Sequence, residues 1–380
     1  MEHTFWIWYP GDFELYHAMK QNFSRVERGF GWPAFWKSEG FRNRVAFRRT
    51  YELEQETSFT VFSNAIGHVL VSWENGEKKY PFGKKITAGP GKVKVSIHAG
   101  CVEAFPCAYV KGEVIHSDKT WMAEDYSQPL VPVGVCKYFT KEGQNPAVWE
   151  YTEKECKPVK ISEVNGGVLA EFETELTAAV YVKDKRKTAL EKEKRKVVKN
   201  IENCYEGNAE EISDAGNCRR ESGFWDNCDV LEVFCGESED EALDIEHCYY
   251  SWQLDPVTNR CPCCAVHFAF IPNCKAEDVE ITAFYQYVDF PKRASFKCSN
   301  QKLNKIWDVA EHTFRLCSGI FFLDGVKRDK WIWSGDAYQS FFVNQYLLAD
   351  PDIDQRTLLA LRGNDPMTRH INTIMDYSLF

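Results

Sequence analysis

The chain has 380 residues, 44% of them hydrophobic and 27% charged, which is material for two or three packed cores rather than one. Its formal net charge of -10 repels a phosphate backbone and excludes a general nucleic-acid role. No apolar run approaches the ~18 residues of a membrane span, and the opening MEHTFWIWYPGDFE lacks the basic and apolar regions of a secretory signal. The 15 cysteines, odd in number and irregularly spaced, are therefore expected as reduced thiols in a cytoplasmic protein.

The first segment, 1 to about 125, reads as a β-sandwich of jelly-roll type. Trp6, Trp8, Trp32 and Trp36 sit in loop-like sequence, either covering a sandwich edge or forming a carbohydrate patch. Val45 to Arg48 and Ser58 to Ser63 read as strands, and Lys92 to Ile97 alternates polar and apolar residues as a half-buried strand does. Asn64 to Gly67, Glu74 to Gly76 and Ala88 to Gly91 carry turn signals between them.

A second β-rich segment runs from about 126 to 295. Asn165-Gly166-Gly167 predicts a turn, followed by Val168 to Phe172 and Thr177 to Val182 as a pair of strands. The run Lys183 to Lys199 mixes both signs of charge and predicts a solvated excursion. Val230 to Phe234, Ala265 to Ile271 and Ile281 to Val288 predict further strands, and Glu237 to Asp244 a short surface helix. Cys261, Cys263, Cys264 and His267 crowd into RCPCCAVHF, but no second ligand pair stands at finger-like spacing. Buried strand thiols are the expectation, with no metal and no other cofactor.

From 296 the period changes. Leu303, Ile306, Trp307, Ala310, Phe314 and Cys317 share one helical face, with Ser299 as the predicted cap. A second helix is predicted near Gly335, and a third at Asp350-Pro351, ending at Gly363. Pro366 to Tyr377 predicts the start of a fourth. The order is strands, strands, then helices, and the helical domain 296–380 is expected to be incomplete, with exposed apolar faces that favour association.

Between the first two helices lies FFLDGVKRDKWIWSGDAYQ, residues 321–339. Asp324, Asp329 and Asp336 crowd there with Arg328, Lys330, Trp331 and Trp333. Glycoside hydrolysis needs one carboxylic acid to protonate the leaving oxygen and further carboxylates to activate water or hold hydroxyls. A salt-bridged interhelical loop accounts for the same residues equally well.

This strip resembles the motif of family 78 glycoside hydrolases, the bacterial α-L-rhamnosidases: an acid, a spacer, Arg, one or two acids, then Trp, one residue, Gly and Asp. The matching residues are Asp324, Arg328-Asp329 and Trp333-Ser334-Gly335-Asp336. Asn165 to Glu173, Phe234 to Ser238 and Phe296 to Asn300 also resemble text of that family. The resemblance implies β-sandwich domains followed by an (α/α)6 barrel, of which this chain would be an N-terminal fragment, inactive alone. It implies inverting hydrolysis of terminal α-L-rhamnosides, with Asp329 as general acid, Asp324 and Asp336 on sugar hydroxyls, Trp333 packed on the ring and Arg328 orienting the acids. The family's acid is usually Glu and often one position later, where this chain has Lys330. The partners so implied are rhamnose-containing glycosides. A carbohydrate-binding chain without turnover, or an (α/α)6 hydrolase of another sugar, fits the same features.

Overall fold

The structure, a computed structural model, describes residues 4–23, 41–126, 129–186 and 231–362. Trp32, Trp36, Val230, Gly363, most of the 183–199 charge run and the expected fourth helix at 366–377 lie outside those residues.

The chain opens with strand β1 (Ile7–Trp8) and helix α1 (Asp12–Phe23). There follow β2 (Arg44–Leu53), β3 (Thr57–Ser63), β4 (Ile66–Trp73), β5 (Gly76–Tyr80), β6 (Lys85–Ala88), β7 (Gly91–Gly100), β8 (Cys107–Gly112), β9 (Met122–Glu124) and β10 (Val131–Pro132). They form two antiparallel sheets, ordered β1-β8-β3-β6 and β10-β9-β2-β7-β4-β5. Along β7 the inward set Val93, Val95 and Ile97 is fully buried, as the alternation of its sequence predicts. Those residues, with Phe47, Val69 and Val71, meet Phe59, Val61, Ile86 and Val110 of the other sheet in one core. This is a β-sandwich. Trp6 and Trp8 do not form a sugar patch: they are buried in an aromatic cluster with Phe13, Phe105 and Phe139 that covers the sandwich.

The second β region contains β11 (Thr152–Cys156), β12 (Lys160–Val164), β13 (Gly167–Asp184), β14 (Glu232–Gly236), helix α2 (Glu239–Leu243), β15 (Tyr250–Gln253), β16 (Cys264–Pro272) and β17 (Val279–Tyr287). Asn165 (φ 50°) and Gly166 (φ 75°) make the β12–β13 hairpin turn, where two successive left-handed residues match the strand twist. The two strands expected at 168–172 and 177–182 are instead one strand of 18 residues. Its register against β16 shifts between Glu171 and Leu176, so the polar Glu173-Thr174-Glu175 reads as a break while the strand continues through an irregularity. Its early half lies between β12 and β16, and its later half pairs with β17. The sheet order is β11-β17-β13-β16-β14-β15, and Val168, Ala170, Phe172, Ala178, Val180 and Val182 of β13 enter a single core. α2 seals Leu169, Phe234 and Phe270 in a smaller second cluster, its N-terminus capped by Ser238.

Helices α3 (Gln301–Leu316), α4 (Ser334–Leu347) and α5 (Pro351–Arg362) complete the described chain. The cap of α3 is Asn300 rather than Ser299, because its side chain accepts from the Lys302 and Leu303 amides. Asp350 accepts from the Asp352 amide at 2.9 Å ahead of Pro351, as expected. No residue of α3 is buried; Leu303, Ile306 and Val309 are exposed, and Tyr338, Phe342 and Tyr346 of α4 likewise. The chain is thus built of β-sandwich regions followed by a short helical part. α1 returns to the helical part: its Leu15 and Ala18 pack with Phe321, Trp331, Ile332, Ala337, Ala360 and Leu361. No helix among the described residues is long and apolar enough to cross a membrane.

Candidate functional site

Residues 324–333 of the strip form a closed loop between α3 and α4, and 334–336 open α4. The Asp324 amide donates to the Trp331 carbonyl at 3.0 Å, and the Trp331 amide donates to Asp324 Oδ1 at 2.9 Å. One carboxylate oxygen of Asp324 therefore ties the loop's two ends. Within it, the hydroxyl of Tyr250 donates to the carbonyls of Val326 and Lys327 at 3.3 and 3.2 Å, and that of Tyr249 to Arg328 at 3.2 Å. On the opposite side, Gln21 of α1 donates to the Lys330 carbonyl at 3.0 Å. Lys330 itself has φ 45°, a left-handed conformation that a lysine adopts at a cost and that these contacts hold in place. A loop fixed from two sides is able to aim side chains accurately.

Of the five residues singled out from the sequence, Asp324, Arg328, Asp329 and Trp333 lie on this loop, and Asp336 follows in the first turn of α4. Asp329 is buried, at 9% exposure, and Arg328 Nη2 stands 3.3 Å from its Oδ2. The Arg328 side chain is 70% exposed, so water screens most of that attraction. Burial pushes the Asp324 carboxyl above the ordinary range; hydrogen bonds from Trp331 and Gly325 oppose this, while the charges of Asp329 and Asp336 add to it. The three carboxylates therefore share one electrostatic neighbourhood. Asp336 is exposed in the first turn of α4, where the helix dipole favours a negative charge. Trp333 is half-buried just before that helix, its indole N–H without a hydrogen-bond partner among the described residues. Trp331 is a core residue, 1% exposed.

A second carboxylate group adjoins the strip, and sequence reading did not find it. Glu175 projects from the irregularity of β13 beside Glu237 and Glu241 of the 236–243 segment. Burial, then the Glu237 charge, hold the Glu175 carboxyl up to about 7. Lys327 of the strip bridges to Glu237 at 3.1 Å and Glu241 at 2.6 Å. Burial works against its ammonium, yet Glu241 and Glu237 outweigh it, and the lysine stands above its usual value. Burial first, then the charges of Asp324 and Glu175, hold the Cys317 thiol up to about 11, so both acidic groups act on this thiol. His312 of α3 fixes the arrangement, with Nε2 2.7 Å from the Glu175 carbonyl and 2.8 Å from Thr174 Oγ1. The only sequence signal for this cluster was the polar triplet interrupting an apolar strand.

No protein-family model and no curated protein matches the chain. Among solved structures, it is similar to an α-L-rhamnosidase from Dictyoglumus thermophilum, with 12% identity and a TM-score of 0.35, over 94% of this chain and 44% of that one. An α-L-rhamnosidase from Streptomyces avermitilis complexed with L-rhamnose gives 10% identity and a TM-score of 0.38, over 85% and 36%. One from Aspergillus terreus gives 10% identity and 0.36, over 94% and 45%. This chain spans less than half the length of each of the three. At such scores the likeness transfers no residue roles, and the chemistry of the site rests on its own side chains.

Proposed function

We propose that the strip is the acid half of a glycoside hydrolase site, and that its substrate is a terminal α-L-rhamnoside. Asp329 donates its proton to the departing glycosidic oxygen as the bond to the anomeric carbon breaks. Water attacks the opposite face of the sugar and gives its proton to a general base, which inverts the configuration. Asp336 and the second oxygen of Asp324 accept hydrogen bonds from ring hydroxyls, and Arg328 orients the acids. Trp333 offers its ring face to the sugar's C–H groups. The rhamnoside assignment comes from the resemblance of Asp324, Arg328-Asp329 and Trp333-Ser334-Gly335-Asp336 to the family motif.

The observation that carries the reading is the company Asp329 keeps: a buried carboxyl sharing one neighbourhood with two other aspartates. Burial, then the neighbouring charges of Asp329 and Asp336, raise the Asp324 carboxyl, so the site is one that penalises carboxylate charge. The test is hydrolysis of an aryl α-L-rhamnoside by the full-length protein, with product configuration read by NMR. Release of the β-anomer supports the reading. Turnover of other aryl glycosides but not of the rhamnoside refutes the sugar assignment, and turnover of none refutes the hydrolase.

A further inference from the structure

Three cysteines that the proposed chemistry does not use converge inside the second β region. Cys235 lies on β14, Cys261 precedes β16, and Cys264 is the first residue of β16. Their sulfur atoms all lie within 4.8 Å of one another, and the residues are 0%, 3% and 0% exposed. All three are free thiols. His267 does not join them: it is half-buried against the ring of Phe268, 4.6 Å between centroids. Of the residues crowded in RCPCCAVHF, Cys261 and Cys264 join the trio, and its third member comes from β14, the strand paired with β16.

The Cys261 sulfur is held more firmly than packing alone requires. Its backbone amide donates to the Val180 carbonyl at 3.0 Å, and the Val180 amide donates to its sulfur at 3.2 Å. A thiolate in an apolar core is costly unless a cation neutralises it.

The geometry points to a site for one soft monovalent metal ion, Cu(I), bound by the sulfurs of Cys235, Cys261 and Cys264. Thiolate donors select soft ions. Structural zinc takes four ligands, and among the described residues the cluster offers three. On binding, the thiol protons pass to solvent and the sulfurs hold Cu(I) as thiolates.

Cu(I) binding is read by anaerobic competition with bicinchoninate under a reductant, on the full-length protein. The expected result is one tightly bound equivalent, a raised thermal midpoint, and three sulfur neighbours by X-ray absorption. Cys235→Ser, Cys261→Ser and Cys264→Ser each lose that equivalent, whereas Cys274→Ser, in the same core but outside the trio, retains it. The absorption measurement needs no variant, so a misfolded substitution does not obstruct the test. No tight equivalent, a different coordination number, or zinc displacing Cu(I) would overturn the assignment.

Discussion

The N-terminal sandwich and the C-terminal helices treat their apolar residues in opposite ways. Phe47, Phe59, Val95 and Ile97 are sealed between two sheets, whereas Leu303, Ile306 and Val309 of α3 face solvent at 46%, 54% and 66% exposure. The sandwich closes its own core. The helical part depends on borrowed contacts: Leu15 and Ala18 of α1 pack against Ala337, Ala360 and Leu361, and the Tyr249-Tyr250 hydroxyls hold the strip between α3 and α4. The strip proposed to carry the chemistry is thus held by residues far from it in sequence, Gln21 of α1 and Tyr249-Tyr250, and its rigidity is a tertiary property.

That contrast gives a graded set of expectations. Phe47→Ala should cost ~3–5 kcal/mol in denaturant unfolding, because the closed core cannot collapse around the cavity. Asp324→Ala comes next, at ~1–3 kcal/mol, since it leaves the Trp331 amide without its acceptor, while Asp324→Asn keeps an oxygen there and costs less. Equal losses for the two variants would show that charge, not the clamp, stabilises the loop.

A smaller effect depends on pH. Burial holds the Glu14 carboxyl on α1 up to about 7, against an ordinary value of 4.5. The folded chain keeps a proton that the unfolded chain releases, so its contribution is fully present below about pH 4.5 and is lost as pH rises towards 7. Glu14→Gln should therefore raise the thermal midpoint above about pH 7 and leave it nearly unchanged below about 4.5. A uniform shift at all pH values would contradict the assignment. Smallest of all, Ile306→Ser on the exposed face of α3 should change stability by no more than ~0.5 kcal/mol; a loss as large as that of Phe47→Ala would mean the face is covered in solution.

The strip was legible because its acids, arginine and tryptophans are neighbours in sequence, and the hairpin at Asn165-Gly166 because only such residues suit two left-handed positions. Helical periodicity correctly grouped Leu303 with Ile306, but a period states which residues share a face and not whether anything covers it. Helix α1 was not singled out, since the segment around it was read as β-rich with its tryptophans in loop-like sequence. Long-range assembly escaped altogether: Glu175 meets Glu237 only through a strand irregularity, and Cys235 meets Cys264 only once the sheet forms.

The central claim is that Asp329 gives up the proton, and the most direct measurement compares Asp329→Asn with the unaltered full-length protein on rhamnosides of poor and good leaving groups. The account predicts a ~100- to 10,000-fold loss of kcat with the poor leaving group, a smaller loss with the activated one, and an unchanged thermal midpoint. Equal rates on the poor leaving group for both proteins would contradict it.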